Sequence, residues 1–322
     1  MPISIQATSG WTIGSTEKGG SGKRILERED VRDQLIQLAE EARSGKGSIS
    51  LIIGEDGSGK TMLLDSLPET AEVDHLRLTA RCSPLDSSYA FGVLRQLLDP
   101  VFSSRSPEEN ERLFAGAAGL SRGLFSDEPL PSAEPEHSVL NSAFWLFSNL
   151  ADETPIHVLI DDLQWADEPT LRLLEFLGRR IGDLPICVTG TVQAGPVGRD
   201  GQGERGRLID SLTTVADPVL TLEPLSEQAI ETMFSDAMEQ APGPEMVHAA
   251  AKATGGSPAL VEVLCREASA RELTGTPITA TLLSQLVAGE IAPRVESVLE
   301  GLTTSERLVA TAVALLGDRA SV

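Results

Sequence analysis

The sequence predicts an α/β fold in which helices cover both faces of a parallel β-sheet, followed by a region made only of helices. Two observations predict this. Short apolar, β-branched runs alternate with amphipathic helical patterns as far as about residue 225, as is typical of parallel sheets. From Ser226 onward the strand patterns stop and only helical patterns follow.

The composition is that of a globular protein and disfavours several classes of function. The chain has 322 residues, of which 41% are hydrophobic and 23% are charged, so its length allows two domains or one large one. A net charge of −22 argues against direct nucleic-acid binding, which depends largely on Lys and Arg. No stretch approaches the roughly 20 apolar residues of a membrane span, and the N terminus lacks a signal-peptide pattern. We therefore expect a cytoplasmic protein with no membrane contact.

Cysteine and histidine show no metal-binding spacing. The three cysteines are far apart, and the four histidines are scattered. Cys187 and Cys265 lie in apolar runs, so we expect both in the core.

A polar tail and a helix precede the first strand. Residues 1–24 are rich in Gly and Ser and are predicted to form a flexible tail. The tail contains GSGK at Gly20–Lys23, but no strand pattern precedes it and Arg24 follows it, so we interpret this copy as a linker. The segment "ILEREDVRDQLIQLAEEARSG" (residues 25–45) then predicts a helix that ends at Gly45.

A second GSGK lies in a segment with every part that a phosphate-binding loop requires. "SISLII" (residues 48–53) is typical of a buried strand, and "TMLLDSL" predicts a helix after the loop. Between them, Gly54–Thr61 match the spacing G-x-x-x-x-G-K-[ST] without a gap. In such a Walker A loop, backbone amides and a helix N-terminus face the anion. The predicted fold class is therefore a P-loop NTPase: a three-layer parallel sheet followed by an α-helical lid domain.

The chemistry of the Walker A loop predicts a role for its residues. We expect the backbone amides from Gly57 to Thr61 to wrap the β-phosphate of ATP or ADP. Lys60 should reach the β- and γ-phosphates, which makes it a candidate catalytic residue, and the Thr61 hydroxyl should ligate Mg²⁺. The predicted nucleotide contacts in this segment are Gly54, Gly57, Ser58, Gly59, Lys60, Thr61 and Met62.

Two acids at the end of another predicted strand are candidates for the metal site. "IHVLI" (residues 156–160) is an apolar run interrupted only by His157, which we expect to pack in the core. Asp161 follows it and is predicted to hold Mg²⁺ through water, as in Walker B. Asp162 is placed to polarise an attacking water or to sense the γ-phosphate, so it is the second candidate catalytic residue. The alternative is a solvated turn with an aspartate as a helix N-cap.

The remaining patterns complete the alternation. A helix is predicted over about Glu168–Ile181, with Asp167 as its N-cap. Arg179 and Arg180 near its end complement the helix dipole, the alternative role being that of arginine fingers. Further predicted elements are a strand near 74–80, helices within 89–100 and 138–150, a surface loop over 122–137, strands over 184–192 and 218–225, and helices near 226–239, 243–253, 258–270, 276–288, 291–300 and 304–316.

Several motifs, in this order, resemble the ATPase module of STAND-type regulators, which are relatives of the AAA+ ATPases. They are "LERED…LIIGEDGSGKTMLL", "RCSPLDSSYAFGVLRQLLDP", "VLIDDLQWAD…LRLLEFLGRR", "LTLEPLS" and "ATGGSPALVEVL". The nearest group is the large ATP-binding regulators of the LuxR family. The resemblance covers about residues 24–316. It implies a flexible tail (1–24), a P-loop NTPase domain (25–222), a helical lid (223–275) and the start of a further helical domain, with a winged helix as one form of it (276–322).

The resemblance implies one further contact and shows two departures. Pro258 in "GGSP" would lie where the family's lid proline approaches the nucleotide base; the alternative is a turn in which proline opens a helix. Gln193 stands where the family often has an arginine near the γ-phosphate, and Arg199 or Arg205 could substitute for it. Ser257 stands where asparagine is usual. Both departures argue against efficient hydrolysis, though not against binding.

Three functional hypotheses follow. The first is a regulatory switch that binds ATP with Mg²⁺, hydrolyses it slowly, and acts through self-association or other domains on a DNA-binding output. We expect that output outside this chain, because no basic helix-turn-helix precedes Val322. The sequence is then either a fragment of a longer regulator, which we favour, or a short relative that acts through partners. The second is a non-hydrolysing interaction module with ATP or ADP as a structural plug. The third, a small-molecule kinase, is disfavoured because no arginine cluster follows Asp162.

Overall fold

The computed structural model describes residues 25–67, 75–125, 135–194, 203–238, 241–270, 285–289, 292, 304–305 and 307–310. The chain divides into two compact units, Met1–Glu223 and Pro224–Val322. The predicted tail, Arg199 and most of the helices predicted over 276–322 lie outside the described residues.

The first unit is built on a parallel sheet. Its strands are β1 (Ser48–Gly54), β2 (Leu76–Arg81), β3 (Ile156–Asp161), β4 (Ile186–Gln193) and β5 (Val219–Thr221). The order across the sheet is β2-β3-β4-β1-β5, and every pair is parallel. Strand β4 therefore lies between the strand that leads into the glycine-rich loop and the strand that ends in the two acids. The carboxyl ends of all three strands meet at one edge of the sheet, where open α/β sheets bind their ligands.

Helices cover both faces of this sheet. In chain order they are α1 (Glu29–Arg43), α2 (Lys60–Asp65), α3 (Gly92–Ser103), α4 (Pro107–Leu113), α5 (Glu136–Glu153), α6 (Glu168–Gly178) and α7 (Glu204–Val215). Successive residues of β1 point to opposite faces of the sheet, as the period of two in a strand requires, and so belong to different hydrophobic clusters. Leu51 packs with α3, α5 and α6, whereas Ile52 packs with Leu35 of α1 and Leu63 of α2. The predicted three-layer α/β fold is thus confirmed.

The second unit is helical in its described part. It contains α8 (Glu227–Ala237), α9 (Pro244–Thr254) and α10 (Pro258–Ala270), close to the predicted bounds. A left-handed turn at Gly255 and Gly256, with φ of 58° and 75°, joins α9 to α10. A Cβ on Gly256 would lie 2.8 Å from the carbonyl oxygen of Leu225, so a side chain would not fit there.

The structure differs from the predicted elements in a few places. Strand β5 is much shorter than the predicted 218–225: it begins after Pro218, which has no N–H to donate to the ladder, and ends at Thr221, three residues before Pro224. The surface loop predicted over 122–137 overlaps helices at both ends, because a 3₁₀ helix runs to Leu124 and α5 begins at Glu136. Helices α4 and α7 were not predicted.

Burial agrees with the predictions for individual residues. Cys187 and Cys265 are buried, as is Cys82. His157 is buried within β3, as predicted for a core residue. No helix in the described part of the chain is both long and apolar enough to cross a membrane.

Candidate nucleotide-binding site

The loop between β1 and α2 requires glycine at three positions. Gly57 and Gly59 have φ of 76° and 92°, a region that favours glycine. A Cβ on Gly54 would collide with the Ser58 hydroxyl, because the loop folds back on itself there. That Ser58 hydroxyl is buried and has no hydrogen-bond partner among the described residues, which leaves it available to a ligand.

Lys60, the first residue of α2, lies within this loop. Its ammonium donates hydrogen bonds of 2.8 Å to the carbonyl oxygens of both Gly54 and Glu55. Burial lowers the pKa of Lys60, and nearby carboxylates, Asp162 foremost, act in the opposite direction. The arrangement brings a cation to the loop amides, as a phosphate site requires.

Oxygen atoms from α2 and β3 meet beside this loop. The Thr61 hydroxyl donates a hydrogen bond of 2.7 Å to Oδ2 of Asp161. The other carboxylate oxygen of Asp161 accepts one of 2.6 Å from the Thr191 hydroxyl on β4. A hydroxyl and a carboxylate fit Mg²⁺, which takes oxygen ligands and usually completes its shell with water and substrate phosphates. No group of three or more His, Cys, Asp or Glu residues able to hold a metal is found among the described residues, so such a site would depend on phosphate and water ligands.

Asp162 lies immediately beyond β3 in a left-handed conformation, with φ of 59°. Its N–H donates to the Thr191 hydroxyl at 2.8 Å, and its Oδ1 accepts from the side-chain amide of Gln164 at 2.9 Å. The oxygen of that amide in turn accepts from the N–H of Gln193 at 3.1 Å. A chain of hydrogen bonds therefore connects the two acids with the end of β4.

Arg81 at the end of β2 adds a cation to this edge. It pairs with Asp161 in the parallel register, and its Nε lies 3.2 Å from Oδ2 of that residue. Its Nη2 lies 3.8 Å from the carboxylate of Asp65.

Other predicted functional residues have structural partners. Arg179 pairs with Glu175 one helical turn earlier, and Arg180 lies over the Phe176 ring with its Cζ 3.6 Å from the ring centroid. Arg205 donates to the carbonyl oxygen of Ser87 at 3.4 Å. Pro258 opens α10 in the second unit, and its predicted contact with the base stays a prediction.

Sequence reasoning missed Arg81, Thr191 and Gln164. Gln164 stands inside the quoted motif "DDLQWAD", so proximity to the two acids was a usable signal. Arg81 and Thr191 could be assigned only with the strand order, because both reach Asp161 from neighbouring strands.

Comparison with known proteins agrees with this architecture. The sequence profile described as the AAA ATPase domain matches residues 24–189. A search of curated proteins finds no match.

Several solved structures are similar to this chain at low sequence identity. A Walker-type ATPase of Pyrococcus abyssi has a TM-score of 0.50 and 14% identity, over 85% of this chain and 75% of that one. The ORC1 protein of Aeropyrum pernix, in complex with DNA, has a TM-score of 0.47 and 17% identity, over 92% and 73% of the two chains. A STAND protein with a tetratricopeptide repeat sensor from Pyrococcus horikoshii has a TM-score of 0.43 and 18% identity, over 87% of this chain and 34% of that one.

The likeness to the Pyrococcus abyssi ATPase, at 14% identity, shows a shared fold. The profile match carries more weight because it spans over half of the sequence and includes the glycine-rich loop and both acids. The chain therefore belongs to the AAA ATPase domain family.

Proposed function

We propose that this chain binds ATP with Mg²⁺ at the glycine-rich loop and hydrolyses it slowly, as the switch module of a STAND-type regulator of the LuxR family. One observation carries the nucleotide site. The hydroxyl of Thr61 and the carboxylate of Asp161, 100 residues apart in the sequence, are hydrogen-bonded at 2.7 Å next to the loop that holds Lys60. Such a convergence is what a metal-assisted phosphate site needs.

Each residue of the site has a distinct role in this proposal. The amides from Gly57 to Met62 and the Ser58 hydroxyl bind the phosphates, with Gly54 and Gly59 allowing the loop its shape. Lys60 exchanges its bonds to two loop carbonyls for phosphate oxygens and neutralises their charge. Thr61 would hold Mg²⁺ directly and Asp161 would hold it through water. When bound, the metal neutralises charge on the phosphates.

Asp162 is the proposed group that orients the attacking water. Its left-handed conformation places it beyond the strand end, and it is partly exposed, whereas Asp161 is only 3% exposed. The water would give a proton to the Asp162 carboxylate as its oxygen bonds to the γ-phosphorus, while the bond from that phosphorus to the β–γ bridging oxygen breaks and ADP leaves. Gln193 at the end of β4 supplies no positive charge to the departing phosphate, which is consistent with slow turnover.

The regulatory role rests on the ordered motifs that resemble STAND-type regulators. In this proposal the second unit acts as the helical lid, with Pro258 near the base. The switch works in the cytoplasm through self-association or through other domains that carry the DNA-binding output. The net charge of −22 argues that residues 1–322 do not bind DNA themselves.

Replacement of Lys60 tests the nucleotide site. We expect Lys60→Ala to weaken Mg·ATP binding by about a hundredfold or more, because two or more charge-assisted contacts are lost. Lys46→Ala, which removes an exposed lysine outside the loop, is the control and should bind like the wild type. Calorimetry that shows equal affinity for all three proteins would reject the site.

Phosphate release separates the switch from its alternative, a nucleotide held as a structural plug. The plug is favoured by Gln193, which stands where an arginine would stabilise the charge of the γ-phosphate during hydrolysis. If the wild-type protein hydrolyses ATP and Asp162→Asn does so much more slowly, the switch is supported. Equal background release from both proteins, with nucleotide still bound, supports the plug.

A further inference from the structure

We propose that Gln164 is a positioning residue that holds the Asp162 carboxylate for reaction and connects it to the end of β4. The inference rests on the proposed role of Asp162. Gln164 is 2% exposed, and both ends of its side-chain amide have partners. Moving a buried amide away from its charged and backbone partners costs free energy, because its polar atoms would lose their hydrogen bonds. Such an amide therefore restricts the positions of the groups that it contacts.

The orientation of the Gln164 amide follows from its two partners. The Gln193 N–H can only donate, so the side-chain oxygen must face it. An ionised Asp162 carboxylate can only accept, so the NH₂ group must face that side. A flipped amide would lose both hydrogen bonds, so a single arrangement is favoured.

The backbone conformation of Asp162 needs this support. A residue other than glycine in the left-handed region costs on the order of 1 kcal/mol or more, and such residues persist where their surroundings hold them. Besides the Gln164 contact, the N–H of Asp162 donates to Thr191 and its carbonyl oxygen accepts from the N–H of Trp165 at 2.9 Å. Backbone and side chain are therefore held separately, and among the described residues the Gln164 amide is the group that donates a hydrogen bond to the carboxylate.

Thr191 joins the two acids through one hydroxyl. It donates to Oδ1 of Asp161 and accepts from the N–H of Asp162. The candidate metal ligand and the candidate water-orienting group are thus fixed relative to each other. Gln164 extends this connection to Gln193 at the carboxyl end of β4. Its loss should misplace the carboxylate of Asp162 while leaving Thr61 and Asp161 in contact.

The proposal therefore predicts that loss of the Gln164 amide slows ATP hydrolysis but leaves Mg·ATP binding nearly unchanged. Gln164→Met preserves the approximate volume and removes both hydrogen bonds. We expect the single-turnover rate of ATP hydrolysis to fall by about ten- to a hundredfold, because misplacement of a reacting group by about 1 Å has effects of that size. The dissociation constant for Mg·ATP should change by less than about threefold, since no proposed phosphate or metal contact is altered.

Thr189→Val is the matched control for loss of a buried polar group. Thr189 lies on β4 two residues before Thr191, is fully buried, and contacts Ser50 and His157 rather than the acids. We expect Thr189→Val to lower the melting temperature while leaving the hydrolysis rate of the folded fraction unchanged. Gln164→Asn, whose shorter amide cannot bridge both partners, serves as a second variant should Gln164→Met fail to fold.

A double mutant completes the test. If Gln164 acts through Asp162, Gln164→Met should cause no further loss of rate in an Asp162→Asn background. Equal rates for Gln164→Met and the wild type, or additive losses in the double mutant, would overturn the positioning role. A slow Asp162→Asn variant beside an unimpaired Gln164→Met leaves the proposed function standing and rejects only this inference. A wild-type protein that binds but never hydrolyses Mg·ATP rejects both the hydrolysis and the inference.

Discussion

Two groups of buried polar side chains lie on the same pair of neighbouring strands, yet their surroundings differ. Away from the carboxyl ends of β3 and β4, the His157 ring lies 3.3 Å from the Thr189 hydroxyl, and Ser50 of β1 donates to the same hydroxyl at 3.1 Å; we call these three residues the middle group. At the carboxyl ends of these strands, Asp161 accepts a hydrogen bond from Thr191 and another from Thr61.

Position along the strand separates these two groups. The middle group is enclosed by protein: burial, with smaller contributions from the neighbouring His75 and Arg77, lowers the pKa of His157 to about 3, so that its ring is neutral near pH 7. The strand-end group, made of Asp161, Thr191, Thr61, Asp162 and Arg81, includes two partly exposed residues, Thr61 and Asp162, and one exposed residue, Arg81. Burial of a polar residue therefore does not by itself indicate a site in this sheet. In the proposed site, the charged residues stand where a strand meets its loop.

Of the substitutions that compare the strand-end group with the middle group, Asp161→Asn is expected to have the largest effect on Mg·ATP affinity. Asp161→Asn keeps the shape of the side chain but removes the charge that would attract Mg²⁺. We expect the affinity for Mg·ATP to fall by about tenfold or more, a loss of about 1.4 kcal/mol or more in binding free energy. The affinity measured for ATP in EDTA should change little.

Thr189→Val provides the comparison from the middle of the same strands. Calorimetric titrations with and without Mg²⁺ should show its affinity to be that of the wild type in both conditions. If Asp161→Asn retained the full magnesium dependence, the strand ends would have no metal role and the distinction between the two groups would fail.

The middle group should control the pH dependence of stability instead. Unfolded His157 takes up a proton near its ordinary pKa of 6.5, whereas the folded protein does so only near pH 3. The unfolded state therefore binds more protons between these values, and stability is lost as the pH falls below about 6.5. We expect the free energy of unfolding to fall by about 2 kcal/mol more in the wild type than in His157→Gln between pH 7.5 and pH 5.

Urea denaturation of both proteins at the two pH values would measure this difference. Nucleotide affinity at pH 7.5 should be the same for both, because His157 lies away from the strand ends. Parallel losses of stability in the two proteins would show that the buried histidine does not set the acid sensitivity.

Local signals explain how much of this structure could be predicted. The strand before the glycine-rich loop, the loop spacing and the helix after it are consecutive in the sequence, and the structure has β1 and α2 at these positions. Asp167 was predicted to cap α6, and its side chain does accept from the N–H of Thr170. Helix α4 could have been predicted too, because Ser106 and Glu109 form a capping box around Pro107.

Neighbours across the sheet could not be predicted in the same way. The spacing between segments does not say which strands lie side by side, so the insertion of β4 between β1 and β3 was not available from sequence patterns. Thr191 reads only as one more residue of an apolar strand, and Arg81 as a surface arginine. Both contact Asp161 because parallel strands in register end at the same edge.

The smallest expected effect concerns Arg81, the exposed member of the strand-end group. Its side chain is 62% exposed, so its ion pair with Asp161 should contribute no more than about 1 kcal/mol. A magnesium ion held there through water would compete with this guanidinium for the negative charge of Asp161. We therefore expect Arg81→Ala to bind Mg·ATP about two- to fivefold more tightly than the wild type at low salt, with the difference shrinking as salt screens the pair. Arg112→Ala, which removes an exposed arginine on α4, should have no effect in the same calorimetric titration. Weaker binding by Arg81→Ala would contradict this prediction. It would mean that the guanidinium of Arg81 assists phosphate binding together with the metal instead of competing with it.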